Sequence, residues 1–113
     1  MLAIEPPFQL NVLTGLDTVS YGEVVSGVLG HSGRATLLGG TTLGNVEQLH
    51  RFDFPDGSRA WLAAATFQPL GLSPGAWDDL GIAPDVSVPT RWDLFREETD
   101  PALAAAVELL QAP

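Results

Sequence analysis

Twelve glycines and nine prolines in 113 residues are the strongest constraint on what this chain can fold into. In a helix interior glycine costs about 1 kcal/mol and proline about 3 kcal/mol relative to alanine. Segments punctuated this often make short elements joined by turns rather than long helices. With 45% hydrophobic residues and a mean hydropathy of +0.16, the chain has the apolar content for one core and the length of one domain, residues 1–113. A mixed α/β fold is expected.

Between the breakers, local patterns place the elements. Gln9 to Thr14 reads as a short strand leading to Gly15 and Asp17. Ser20-Tyr21-Gly22-Glu23 has the spacing of a capping box, a serine oxygen for backbone N–H groups and a glutamate three residues later. A helix is expected from Ser20 to about Gly30, packing through Val24, Val25, Val28 and Leu29. Arg34–Leu38 reads as a second strand. Val46–Phe54 and Arg59–Phe67 flank the turn Pro55-Asp56-Gly57-Ser58 and form an antiparallel hairpin. Pro69–Pro89 reads as an ordered loop anchored by Trp77, with a short strand near Val86–Val88. Asp100 fits the N-cap and Pro101 the first position of a last helix, with Leu103, Ala106, Val107 and Leu110 as its buried stripe.

Charge excludes several functions. The net charge is −9, the five basic residues are all arginines, and the chain contains no lysine. A surface this acidic repels phosphate backbones and anionic lipid, so no nucleic-acid partner is expected. Without cysteine there is no disulfide framework or thiolate metal site. Met1 to Gln9 carry neither a basic stretch nor an apolar run of signal-peptide length, and no membrane segment is expected. Asp78-Asp79 and Glu97-Glu98-Asp100 lack the alternating ligand spacing of a calcium loop and read as solvated acidic faces. The glycine pairs lack a P-loop lysine. No cofactor or metal is expected. Trp61, Trp77 and Trp92 read as core or loop anchors.

Five pieces in order resemble a known family: Gly33-Arg34-Ala35-Thr36-Leu37-Leu38-Gly39, Thr42-Leu43-Gly44, Asp56-Gly57-Ser58, Gly81-Ile82-Ala83-Pro84-Asp85 and Asp100-Pro101-Ala102-Leu103. Together they are similar to the C-terminal part of the catalytic domain of the tail-specific (C-terminal-processing) serine peptidases, over about residues 10 to 110. The resemblance implies a ClpP/crotonase-like β-β-α architecture, here a partial domain, and hydrolysis of a peptide or protein substrate. It also implies an exported or envelope-associated setting.

In that family the nucleophile lies in a Ser-Ala-Ser-Glu motif, which puts Ser20 on the nucleophile and the Tyr21 N–H on an oxyanion donor. A serine at a helix N-terminus sits beside unpaired N–H groups and the positive end of the dipole. Ser20 can equally be a simple N-cap. The family's basic lysine follows a Thr-x-Gly step; here Asn45, 25 residues after Ser20, stands in its register. An asparagine amide takes no proton near neutral pH, and no lysine exists to replace it. His50 is the candidate substitute base, against a plain strand histidine. Glu47 is a third possibility, and His31, at the far end of a helix about 16 Å long, is too distant. The family's glutamine after the lysine maps to Leu49 without a gap or to Gln48 with one. The resemblance further implies strands before Asn11, and therefore a cut sheet edge, a chain inactive alone, and self-association as a two-fold homodimer.

Overall fold

The computed structural model describes residues 8–113, so the stretch 1–7 read for a targeting signal lies outside the described residues. The element order is β1 (Asn11–Thr14), α1 (Tyr21–His31), β2 (Thr36–Gly39), β3 (Glu47–Asp53), β4 (Arg59–Thr66), β5 (Val86–Ser87), a 3₁₀ turn (Glu97–Thr99) and α2 (Pro101–Gln111). β1, β2 and β5 form a parallel sheet in the order β1-β2-β5, with Val12 opposite Leu37 and Leu38 opposite Val86. Parallel neighbours need a crossover. α1 supplies it between β1 and β2, and the long segment through the hairpin and Trp77 supplies it between β2 and β5. β3 and β4 pair antiparallel as a separate two-stranded sheet, with a bulge where Gln48 faces Ala65 and Leu49 faces Ala63. No helix among the described residues is long and apolar enough to cross a membrane.

The core gathers Leu37, Val46, Trp77 and Ile82, with Val12, Val24 and Phe67 packed against it. Trp77 is the anchor the sequence implied. Each helix buries only part of the face expected: Val24 packs against the core and Ala106 is buried, but the rest of each stripe is displaced. α1 turns Glu23, Ser26 and Gly27 inward and leaves Val25 and Val28 exposed. The reason is the bulk of Trp77 and Ile82: a Cβ on Gly27 would stand 2.6 Å from the indole and 2.8 Å from Ile82 Cδ1, so only a glycine face lets the helix reach the core. α2 buries Ala102 and Ala106, while Val107 and Leu110 face out. Small residues again allow the close approach, this time to β1, where the Asn11 side-chain amide donates to the Ala106 carbonyl at 2.9 Å. The α2 start is as expected: Asp100 accepts from the N–H groups of Ala102 and Leu103, and Pro101 opens the helix.

Trp61 and Trp92 depart from the anchoring role, being 57% and 73% exposed. Trp61 rides on the hairpin, whose two strands lean on each other and are exposed along almost their whole length. The projecting hairpin also expands the molecule. Its radius of gyration is 17.2 Å, against about 13 Å for a compact domain of this length.

Candidate active site

The site is built where the chain leaves β1. Thr18 closes a turn on Gly15, its N–H on the Gly15 carbonyl at 2.9 Å and its hydroxyl accepting from the Gly15 N–H at 3.1 Å. A second tight turn then starts α1, closed by the Gly22 N–H on the Val19 carbonyl at 3.1 Å. Ser20 occupies its second position at φ 57°, ψ −125°. That is the first central position of a type II′ turn, where glycine is the usual residue. A non-glycine residue held there costs of order 1–3 kcal/mol, and such strain gathers at functional sites.

Ser20 is not the side-chain cap that the pattern allowed. Its hydroxyl bonds no helix N–H; the Glu23 and Val24 N–H groups go instead to the Ser20 carbonyl at 2.9 and 3.1 Å. The glutamate half of the expected capping box forms, with Glu23 Oε2 accepting from the Ser20 N–H at 3.1 Å. The Ser20 side chain is exposed and has no hydrogen-bond partner among the described residues. The Tyr21 N–H likewise has no acceptor there, and the Tyr21 ring packs edge-on against Phe67 at 5.8 Å. A free hydroxyl thus stands beside a free N–H at the positive end of α1.

Beneath them lies Glu23, 0% exposed. Oε1 accepts from the Thr42 hydroxyl at 2.5 Å and the Gly44 N–H at 2.6 Å, and Oε2 from the Asn45 N–H at 2.9 Å as well as from Ser20. Burial pushes this carboxyl up, but the bonds from Thr42, Gly44, Asn45 and Ser20 outweigh it and hold the pKa below its ordinary value. Gly44 sits at φ +86°, with the Asp79 and Gly81 backbone 2.8 Å from where a Cβ would be, so this approach requires glycine.

The Ser20 N–H also donates to the Asn45 carbonyl at 2.9 Å. Ser20 and Asn45 are therefore joined directly, backbone to backbone. His50 lies on β3 across from Leu62, its ring edge-on to Phe52 at 4.9 Å, and it has no hydrogen bond to Ser20, Glu23 or Asn45. Glu47 opens β3 opposite Thr66, and the Gln48/Leu49 step carries the bulge. His31 is committed elsewhere, with Nε2 2.8 Å from the Leu70 carbonyl oxygen. Asp78 is half-buried and not simply solvated: it accepts from the Val46 N–H at 3.2 Å and from the Thr66 hydroxyl, tying the base of the hairpin to the Trp77 loop. The residues that sequence reasoning missed are Thr42 and the full role of Glu23. The Ser20-x-x-Glu23 spacing discloses only the local contact, and nothing in it points to partners near residue 42.

A family model described as peptidase family S41 matches residues 3–88. The chain is 34% identical over 105 residues to a carboxyl-terminal-processing protease of Picosynechococcus sp., covering 89% of this chain and 25% of that protein. It is 33% identical over 106 residues to the chloroplastic carboxyl-terminal-processing peptidase 3 of Arabidopsis thaliana, covering 91% of this chain and 20% of the other. The chain thus spans a quarter or less of the length of these relatives. Among solved structures, a photosystem II D1 C-terminal processing protease superposes with a TM-score of 0.67 at 26% identity, over 84% of this chain and 26% of the other. The tricorn protease shares the fold with a TM-score of 0.71 at 20% identity, over 90% of this chain and 10% of its own.

Proposed function

The chain belongs to peptidase family S41, and from that membership we propose that it is a serine-type peptidase segment in which Ser20 is the nucleophile and the Tyr21 N–H an oxyanion donor. The observation that carries this reading is the unbonded Ser20 hydroxyl, held at φ 57° beside an N–H without an acceptor. The substrate is a peptide or protein chain. Ser20 Oγ attacks the scissile carbonyl carbon and gives its proton to a base. The base returns that proton to the leaving amine as the C–N bond breaks. Water then hydrolyses the Ser20 ester and restores the hydroxyl. The developing oxyanion is stabilised by the Tyr21 N–H and the α1 dipole. The base is His50 or a group supplied from outside residues 1–113, because the Asn45 amide accepts no proton.

A second reading is favoured by one specific feature: Asn45, at the position of the family lysine, is bonded to Ser20 in a chain with no lysine. Here the same surface binds peptide without cutting it. Hydrolysis of unstructured peptides by the full-length protein carrying this segment, as wild type, Ser20→Ala and His50→Ala, separates the two. Turnover that disappears in Ser20→Ala supports the nucleophile, and its loss in His50→Ala identifies the base. Peptide bound equally by wild type and Ser20→Ala, with no turnover by either, contradicts the peptidase reading and supports the silent one.

A further inference from the structure

Thr42 lies outside the groups that would touch a substrate, yet its side chain makes two buried hydrogen bonds at once. It is 2% exposed. Its Oγ1 accepts from the Ile82 N–H at 2.8 Å and lies 2.5 Å from Glu23 Oε1. A hydroxyl has one proton to give. Since the Ile82 N–H already donates to this oxygen, and an ionised carboxylate can only accept, the Thr42 proton points at Glu23. The backbone repeats the link, with the Thr42 N–H on the Ile82 carbonyl at 3.1 Å. The hydroxyl therefore fixes one Glu23 oxygen to the loop at Ile82. That leaves the other oxygen facing the N–H groups of Ser20 and Asn45, the two positions where the nucleophile and the register of the family base meet.

We propose that Thr42 is a positioning residue for the peptidase site, acting through Glu23 to hold residue 45 against the Ser20 turn. The proposal rests on the assignment of Ser20 as nucleophile and adds to it a dependence of Ser20 reactivity on a buried hydroxyl 22 positions away in sequence. The valine side chain neither donates nor accepts, so Thr42→Val strips both bonds. Serine keeps the hydroxyl.

The test combines two measurements on the 113-residue chain. Amide hydrogen exchange follows the Ser20 and Asn45 N–H groups, with the β3–β4 amides as an internal control. Labelling by a fluorophosphonate, read by intact mass, follows Ser20 reactivity. In Thr42→Val the Ser20 and Asn45 amides exchange at least tenfold faster while the hairpin amides are unchanged, and the labelling rate falls at least tenfold; Thr42→Ser restores both. Wild-type protection and labelling in Thr42→Val would overturn the proposal. If Thr42→Val does not fold, Thr42→Ser decides, since loss of protection or label despite a retained hydroxyl contradicts it. A wild-type chain that takes no label overturns the nucleophile reading instead, and the exchange measurement then decides the clamp on its own.

Discussion

Replacing Glu23 by glutamine removes the charge that organises the site while changing its shape very little. Each carboxylate oxygen accepts two hydrogen bonds, Oε1 from Thr42 and Gly44 and Oε2 from Ser20 and Asn45. An amide keeps one acceptor and turns the other position into an NH₂ that faces two donors. Two bonds to a charged group are lost, at about 1.5–3 kcal/mol each, so the expected cost is about 3–6 kcal/mol. That is a large share of the roughly 5–15 kcal/mol by which domains are stable. Urea unfolding followed by the fluorescence of buried Trp77 reads it as a lower midpoint at unchanged slope. Acid supplies a second readout. The Glu23 pKa is lowered on folding from an ordinary value of 4.5, so its stabilisation is complete above that pH and is lost as pH falls through the folded pKa. The stability difference between wild type and Glu23→Gln therefore shrinks on acidification below about 4.5. A cost under about 1 kcal/mol, or a difference that grows in acid, would refute the reasoning.

Other outcomes follow from the same geometry. Ser20→Gly relieves strain of about 1–3 kcal/mol against a glycine entropy cost of about 0.4–1 kcal/mol, so it raises stability by about 1 kcal/mol in urea unfolding; a loss of stability contradicts a strained turn. Asn45→Lys places an amine next to Ser20 and increases fluorophosphonate labelling when the rest of the domain is present. No gain, in a variant whose structure shows the amine beside Ser20, counts against Asn45 as the site of the missing base. The exposed Phe52, Trp61 and Leu62 of the hairpin favour self-association, expected in light scattering as twice the 12.0 kDa chain mass; a monomer at micromolar concentration contradicts it.

What the sequence makes legible here is local. The hairpin is announced by alternation around Pro55–Ser58, and α2 by Asp100 and Pro101, because the causes lie within a few residues of the effect. The inward face of α1 is not legible in that way. Val24, Val25, Val28 and Leu29 satisfy helical spacing, but Trp77 and Ile82, which decide the packing, come from some fifty residues away and fit only over Gly27. Ser20 and Asn45 show the same divide. Their registers can be counted along the chain, whereas the carboxylate that joins them looks like one half of a capping box until Thr42 and Gly44 are folded onto it. The φ of Ser20 leaves no mark in composition at all, since serine is as ordinary at an N-cap as it is strained in this turn.

The central claim, that Ser20 is a nucleophile set beside a free oxyanion donor, is tested most directly by the site of covalent modification. The chain is incubated with a fluorophosphonate, digested, and mapped by tandem mass spectrometry, with Ser20→Ala as control. The account predicts one adduct, on Ser20, absent from the Ser20→Ala variant. An unmodified Ser20 under conditions that label an active serine peptidase, or an adduct on another hydroxyl that persists in Ser20→Ala, would contradict it.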